Sequence, residues 1–584
     1  MQGPVLVANR GEIAWRVLRA CRERGLPTVA VYSEADRDAP WLAAADDAHL
    51  LGPAPAAESY LDTERLLAVA RRAGAEAVHP GYGFLSESAE FARAVTEAGM
   101  VWIGPPAEAI EAMGDKLSAR AAATTAECPV VPGTMEPTDD PEVVRAFAEQ
   151  HGFPIAIKAA HGGGGRGLKV VRDPVGLEDA LEGAQREAVA AFGRGEVYVE
   201  RYLRRPRHVE IQVLADHHGH LVHLGERDCS TQRRHQKLIE EAPAPHLDPA
   251  VRDAMGTAAL RVAREVGYTG AGTCEFLYED GEFFFLEMNT RLQVEHPVTE
   301  LVTGQDIVQW QLRIAAGEPL ELTQSDVVLR GHAIEARVNA EHVAASFAPS
   351  PGRVTRWSPP GGPGVRVDAG VVTGWAIPRD YDSLMAKIVA YGADREEARR
   401  KLLAACEEAL VEGVPTTLDF HRFALAHEDF IAGAVATVSV EHEWDLSPIA
   451  PAAPPEPSEG PARPSRTLTV EVGGRRLDVS VFDDRSTPSS SRRRATARSA
   501  VGGGPGEVTA PMQGTITKTS VAVGDPVHAG DVLVVLEAMK MENHVTAPRD
   551  GVVERVAVGP GDHVDLGAPL VTIAAEEAAS ASHA

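Results

Sequence analysis

Apolar and polar positions change period several times along this chain, and each change predicts a different kind of structure. Residues 4–8, Pro-Val-Leu-Val-Ala, are an unbroken apolar run. Ile13, Val17, Leu18 and Cys21 then recur at helical spacing before Gly25, and residues 28–32, Thr-Val-Ala-Val-Tyr, follow as a second run. Strand, helix, strand at these lengths predicts a parallel α/β sheet. Further strands are predicted at 77–79, before the loop 80–87, and at 154–158, Pro-Ile-Ala-Ile-Lys. Alternation with period two takes over at 207–213, around 272–289 and at 331–341, the pattern of antiparallel strands. Asp280-Gly281 between two apolar runs predicts a hairpin that sets Glu275 and Glu287 on neighbouring strands. Alternation alone leaves open whether those two carboxylates share a face.

Residues 447–465 are rich in Pro, Ala and Glu without apolar periodicity, the composition of a semi-extended linker. Leu468, Val470, Val472, a Gly473-Gly474 turn, then Leu477, Val479 and Val481 predict an isolated hairpin within 466–482. Such a hairpin is barely stable in water and is expected to dock on another domain or chain. After a second flexible stretch ending at Gly506, the chain repeats itself. Thr509-Ala510-Pro511, Gly514, Gly524-Asp525, Val527, Gly530 and Leu533 recur as Thr546-Ala547-Pro548, Gly551, Gly561-Asp562, Val564, Gly567 and Leu570. Two equivalent halves of short strands predict a small flattened all-β barrel, with Lys540 at the seam between them.

A length of 584 residues calls for several domains, and an apolar content of 44% makes them globular. The net charge of −27 argues against nucleic-acid or anionic-membrane surfaces. Five scattered cysteines read as reduced thiols, and the absence of an apolar leader or an 18-residue apolar run predicts a cytoplasmic chain.

Chemistry concentrates in four places. Asn9-Arg10-Gly11-Glu12 turns the first βα unit without the glycine pattern of dinucleotide binders. Lys158 precedes His161-Gly162-Gly163-Gly164-Gly165-Arg166-Gly167, whose bare backbone suits phosphate oxygens. Arg233, Arg234, His235 and Lys237 cluster as an expected anion pocket in an acidic chain. From Glu287 onward the residues Glu287, Asn289, Arg291, Gln293 and Glu295 hold every odd position, a polar face too long for one site unless it bends. Oxygen donors from Glu275, Glu287 and Asn289 suit Mg²⁺ or Mn²⁺. Arg291 suits a small oxyanion, and Glu295 can take its proton.

Glu287-Met-Asn-Thr-Arg-Leu-Gln-Val-Glu-His296, the 9–14 and 79–87 motifs, Lys116, Lys158 and the glycine loop together resemble biotin carboxylase from Val5 to about Glu443. Ala538-Met539-Lys540-Met541 resembles the biotinyl carrier domain. The resemblance implies an α/β multidomain fold: a Rossmann-like N-terminal domain over 1–112, and an ATP-grasp region over 113–203 with its lid at about 130–203. An α+β C-terminal carboxylase part over 204–446, a linker over 447–506 and an all-β carrier over 507–576 complete it. It implies ATP binding by Lys116, Lys158, Gly163, Gly164, Gly165, Gly167, Glu200, Arg201, Leu203, His208, Gln232, His235 and Leu277. Metal would fall to Glu275, Glu287 and Asn289, and bicarbonate to Arg291, Gln293 and Val294. Catalysis would fall to Arg291, Glu295, Lys237 and Arg337, the last steadying the biotin enolate, with biotin on Lys540. The departure at 342–346 from the family's acidic-proline continuation puts one loop in question, not Arg337.

The order of parts is similar to the α subunits of acyl-CoA carboxylases, which serve fatty acid biosynthesis. That implies a carboxyltransferase β subunit, with room for a small accessory subunit, biotin protein ligase, and a homo-oligomer within a larger hetero-oligomer. Another ATP-grasp ligase, joining a carboxylate to an amine, would share the lid and metal carboxylates but would not need Lys540.

Overall fold

The first apolar run forms β1 (Val5–Val7), and the helix Gly11–Glu23 buries Ile13, Ala14, Val17, Leu18 and Cys21. With β2 (Thr28–Ser33), β3 (Asp47–Gly52), β4 (Ala77–His79) and β5 (Val101–Trp102), β1 builds a five-stranded sheet in the order β3-β2-β1-β4-β5. All its pairs are parallel. In this computed structural model the described residues are 2–134, 138, 140–159, 169–192, 197–449, 466–472, 475–481, 506–511, 514–538, 541–564 and 567–574. They fall into two compact units, Met1–Ala450 and Pro451–Ala584.

Within the first unit, β6 (Ile155–Ala159), β7 (Lys169–Val171) and β8 (Val197–Arg201) make a small antiparallel sheet. It has its own core, including Val144, Phe147, Leu181 and Val199. The larger sheet contains β9 (Arg207–Ala215), β10 (Leu221–Arg233), β11 (Gln236–Ala242), β12 (Gly270–Glu279), β13 (Glu282–Asn289), β14 (His332–Asn339), β15 (Val365–Ala369) and β16 (Leu384–Gly392). Its order is β13-β12-β9-β10-β11-β14-β16-β15, antiparallel at every junction. Period-two alternation divides its residues between two faces. Val209, Ile211, Val213, Cys274 and Phe276 pack against Met255, Ala258, Ala259 and Val262 of the helix Pro249–Glu265. The opposite face receives the intervening polar positions.

The β12–β13 hairpin turns through Asp280 and Gly281, both at positive φ, which is why a glycine stands there. Its register pairs Glu275 with Glu287 and Phe276 with Phe285, so Leu286 is an extra residue on one strand. This bulge switches faces: Phe285 enters the core with Phe276, while Glu287 turns to the side of Glu275. Leu286, at the end of an apolar run, is 45% exposed because the bulge leaves it on neither packed row. The polar run does not continue as a strand. β13 ends at Asn289, and Glu295 caps the helix His296–Thr303.

In the second unit two four-stranded sheets repeat one plan. Gly514–Thr519, Pro526–Val527 and Val532–Ala538 correspond to Gly551–Val556, His563–Val564 and Pro569–Ala574. At each repeat a glycine lets a backbone carbonyl approach: a Cβ would lie 2.4 Å from the Glu537 oxygen at Gly514, and 2.2 Å from the Ala574 oxygen at Gly551. Ala538 pairs with Met541, and Lys540 between them lies outside the described residues. The 466–482 prediction coincides with paired strands Arg466–Val472 and Arg475–Val481; its turn, Gly473-Gly474, lies outside the described residues. No described helix is long and apolar enough to cross a membrane, and all five cysteines are free and buried.

Candidate active site

Lys237, at the start of β11, projects into a set of buried carboxylates drawn from three different segments. Its Nζ donates to Glu210 Oε2 at 2.6 Å, Glu275 Oε1 at 2.8 Å and Glu295 Oε1 at 2.7 Å. Strand register creates this meeting: Glu287, Glu275, Glu210 and Arg227 are successive cross-strand partners from β13 through β12 and β9 to β10. Burial would push the Lys237 ammonium down, but the three carboxylates outweigh it and hold its pKa well above the usual range. Burial also opposes charge on Glu275, yet Lys237 and His208 keep it well below the ordinary carboxylate value. Glu295 is likewise held low against burial by Lys237, Arg337 and Arg227.

Arg227 braces the floor. Fully buried, it donates to Glu210 (2.5 Å), Gln212 (2.7 Å), Thr273 (3.1 Å), Gln293 (2.5 Å) and Thr299 (2.9 Å). Five N–H groups in a planar fork allow this set, which a lysine could not reproduce. Gln293 closes the ring by donating to Glu275 Oε1 at 2.7 Å. His208 Nε2 lies 3.1 Å from Glu275 Oε2.

At one side stands Arg337 on β14, which donates to Glu295 Oε2 at 2.9 Å and to Glu240 at 2.5 Å. At the other, Arg291 binds Glu87 from the loop that follows β4 at 3.0 Å and Asn289 at 2.5 Å. The Val294 carbonyl accepts from Lys387 at 2.8 Å, and Lys387 also lies 3.2 Å from Glu12. Tyr82 donates to the same Glu12 oxygen, so the 9–14 and 79–87 sequence motifs meet at Glu12, beside Lys387. The segment 291–295 is thus held at once from the loop after β4 and from β16.

The four cations expected to form one anion pocket separate. The β10–β11 turn carries Arg234 and His235 at positive φ and leaves both exposed. Arg233 stacks 4.9 Å over Phe347, and Arg234 reaches Glu441 at 3.5 Å; only Lys237 enters the carboxylate cluster. The hairpin reversal sends neighbours to different surroundings, which a count of basic residues cannot foresee. Phe347, just after the unusual 342–346 segment, is buried against Phe420 and carries the Arg233 guanidinium on its ring.

Of the residues expected to bind nucleotide, Gln232 and Leu203 are buried, Leu277 and Glu200 are half-buried, and Arg201 pairs with Glu282 at 2.7 Å. Leu277 is the cross-strand partner of His208. Lys116 begins the helix Lys116–Thr125 and Lys158 lies on β6, but their side chains are outside the described set, as are Gly163, Gly164, Gly165 and Gly167.

Sequence reading assigned no role to Glu210, Arg227, Glu240 and Lys387, and it had Glu12 and Glu87 only as parts of the 9–14 and 79–87 motifs. A signal existed for Glu210, which alternates with His208 and Gln212 along an apolar strand, and for Lys387, a lone charge inside the run 384–392. The partnership of Arg227 had none.

Family models match in chain order: "Biotin carboxylase, N-terminal domain" over 1–110, "Carbamoyl-phosphate synthase L chain, ATP binding domain" over 115–323, "Biotin carboxylase C-terminal domain" over 335–442, and "Biotin-requiring enzyme" over 506–573. The biotin-dependent acyl-coenzyme A carboxylase alpha3 subunit of Mycobacterium leprae is 50% identical over 559 residues, 92% of this chain and 93% of that one. A pyruvate carboxylase subunit of Methanothermobacter thermautotrophicus is 50% identical over 441 residues, 76% of this chain and 90% of its own. A biotin carboxylase from Campylobacter jejuni, solved as a β-γ-ATP complex, superposes with a TM-score of 0.68 at 44% identity, covering 75% of this chain and 98% of that one.

Proposed function

The chain belongs to the biotin carboxylase family and ends in a biotin-carrier domain, and on that premise we propose that it is the α subunit of an acyl-CoA carboxylase. ATP and bicarbonate are the substrates of its first half-reaction, and biotin on Lys540 is the acceptor. One observation carries the reading: a single lysine is shared by three buried carboxylates between Arg291 and Arg337, in a chain that also holds Ala538-Met-Lys-Met541.

Bicarbonate is assigned to Arg291, Gln293 and Val294, with Lys237 as the second cation. Glu295 is the base that takes the bicarbonate proton while the oxygen attacks the γ-phosphate of ATP. Held so low by Lys237 and Arg337, Glu295 is a weak base at rest. When the anion draws those cations to itself, the proton affinity of Glu295 rises at the step that needs it. Glu275 and Glu287, directly opposed, with Asn289 beside Glu287, offer an all-oxygen set suited to Mg²⁺ or Mn²⁺. A divalent cation there would neutralise phosphate charge. The nucleotide is assigned to Lys116, Lys158, the 163–167 glycines, Glu200, Arg201, Leu203, His208, Gln232, His235 and Leu277. Arg337 is assigned to the negative charge that develops on the ureido oxygen of biotin, and a closing lid excludes water meanwhile.

The acyl-CoA acceptor is supported by the M. leprae relative, which matches over nearly its full length. A keto-acid acceptor is favoured by the pyruvate carboxylase relative from M. thermautotrophicus, over a smaller share of the chain. Acetyl- or propionyl-CoA is the proposed final acceptor, served by a separate carboxyltransferase β subunit.

The test follows ADP release with and without bicarbonate and free biotin. Turnover that requires bicarbonate and rises with biotin is expected. Turnover indifferent to both would overturn the reading.

A further inference from the structure

Behind Arg337 lies a second pair of carboxyls that the half-reaction leaves unused. Glu240 on β11 and Glu335 on β14 are direct cross-strand partners, both with no exposed surface. Arg337, two positions from Glu335 on the same strand, donates to one oxygen of Glu240. Among the described residues, no protein donor reaches the other oxygen of Glu240 or either oxygen of Glu335. Lys387 on β16, the cation that acts most strongly on Glu335, spends its hydrogen bond on the Val294 carbonyl and its ion pair on Glu12. Glu295, Arg337 and, for Glu240, Lys237 complete the charges facing the pair.

Two buried carboxylates side by side, with three oxygens lacking donors, are unfavourable as two anions, and a shared proton supplies the missing donor. We propose that Glu335 holds a proton that it shares with Glu240, and that Glu240, by taking up or releasing one of its own, sets how much of the Arg337 charge is free to face the acceptor. Burial acts first on both, lifting Glu335 well above the usual range, with Lys387 pulling against it, and Glu240 to about 7.

The consequence, which rests on the biotin carboxylase reading, concerns counter-charge. Arg337 touches two carboxyls, Glu240 and Glu295. With both ionised, its charge is compensated twice over. With the proton on Glu240, only Glu295 remains, and Glu295 becomes neutral when it takes the proton of bicarbonate. Arg337 is then uncompensated just as negative charge develops on the ureido oxygen. The pair gains and loses no proton over the cycle; Glu240 and Glu335 are positioning residues.

The test uses the full chain as wild type, Glu335→Gln and Glu240→Gln, each checked for an unchanged unfolding midpoint. In the infrared difference between wild type and Glu335→Gln at pH 7, the variant should lose the carbonyl stretch of a protonated carboxylic acid. Loss of a carboxylate band instead would overturn the proposal. The ratio of free-biotin carboxylation to bicarbonate-dependent ATP turnover should fall about tenfold between pH 6 and 8 in the wild type, the response of one group titrating near 7. It should be flat in Glu240→Gln. A flat wild-type ratio, or an equal fall in Glu240→Gln, would overturn the proposal. ATP turnover indifferent to bicarbonate in the wild type would instead refute the underlying function, and the infrared result would still decide whether the pair holds a proton.

Discussion

Replacing Lys237 with Met removes the ammonium that donates to Glu210, Glu275 and Glu295 alike, at 2.6–2.8 Å, while leaving an apolar stem of similar length. Three carboxylates then face one another with Arg227 at Glu210, Arg337 at Glu295 and His208 at Glu275 as their remaining basic partners. Breaking a buried pair in this way costs roughly 3–5 kcal/mol if all three stay ionised. The less costly response is protonation: Glu275 and Glu295, both depressed against the push of burial mainly by Lys237, should rise. A protonated Glu295 no longer serves as base, a contribution of roughly 10²–10⁴-fold. Bicarbonate-dependent ADP release at pH 7 should therefore fall about a hundredfold or more, and the acid limb of its pH profile should move to higher pH. Because all seven tryptophans precede Ala450, their fluorescence verifies that this unit remains folded. Turnover within tenfold of wild type, on an unmoved acid limb, would refute the reasoning.

Three other outcomes follow from the geometry. Glu241 is pushed up by burial, but His332 and Arg395 hold it at about 2. A depressed carboxyl contributes stability above its unfolded value that disappears as pH falls toward 2, roughly 3 kcal/mol here, so Glu241→Gln should lower the tryptophan-monitored midpoint at pH 7 and converge with wild type near pH 2. Lys387→Met leaves Glu12 buried without its cation and frees the Val294 carbonyl, so this unit should lose about 3–5 kcal/mol, and KM for bicarbonate should rise where thermal melts show it still folded. Gly551→Ala drives a Cβ against the Ala574 oxygen and should destabilise the carrier by about 1–3 kcal/mol, seen as faster proteolysis there with unchanged tryptophan fluorescence.

Local pattern made much of this molecule legible. Asp280-Gly281 announced the β12–β13 hairpin, and the duplicated Gly and Asp positions announced a two-half barrel, because both depend on backbone conformations few residues adopt. What the pattern concealed was register. The bulge at Leu286 decides that Glu287 joins Glu275 while Phe285 joins the core, and no period-two count contains it. The partners of Lys237 come from β9, β12 and the segment before His296, so their meeting is a property of the assembled sheet. Basic composition grouped Arg233, Arg234 and His235 with Lys237, whereas the turn between β10 and β11 distributes them to different neighbours. Lys387 and Glu12 lie far apart in sequence and become partners only when the helix Gly11–Glu23 packs against β16 of the eight-stranded sheet.

The most direct measurement supplies ATP, a divalent cation and isotopically labelled bicarbonate to the biotinylated full-length chain, quenches in base, and locates the label by peptide mass spectrometry. The account predicts label on the biotin of the Lys540 peptide, absent in Lys540→Arg and lost in Glu295→Gln. ATP consumed with no label at Lys540, or label unaffected by Glu295→Gln, would contradict it.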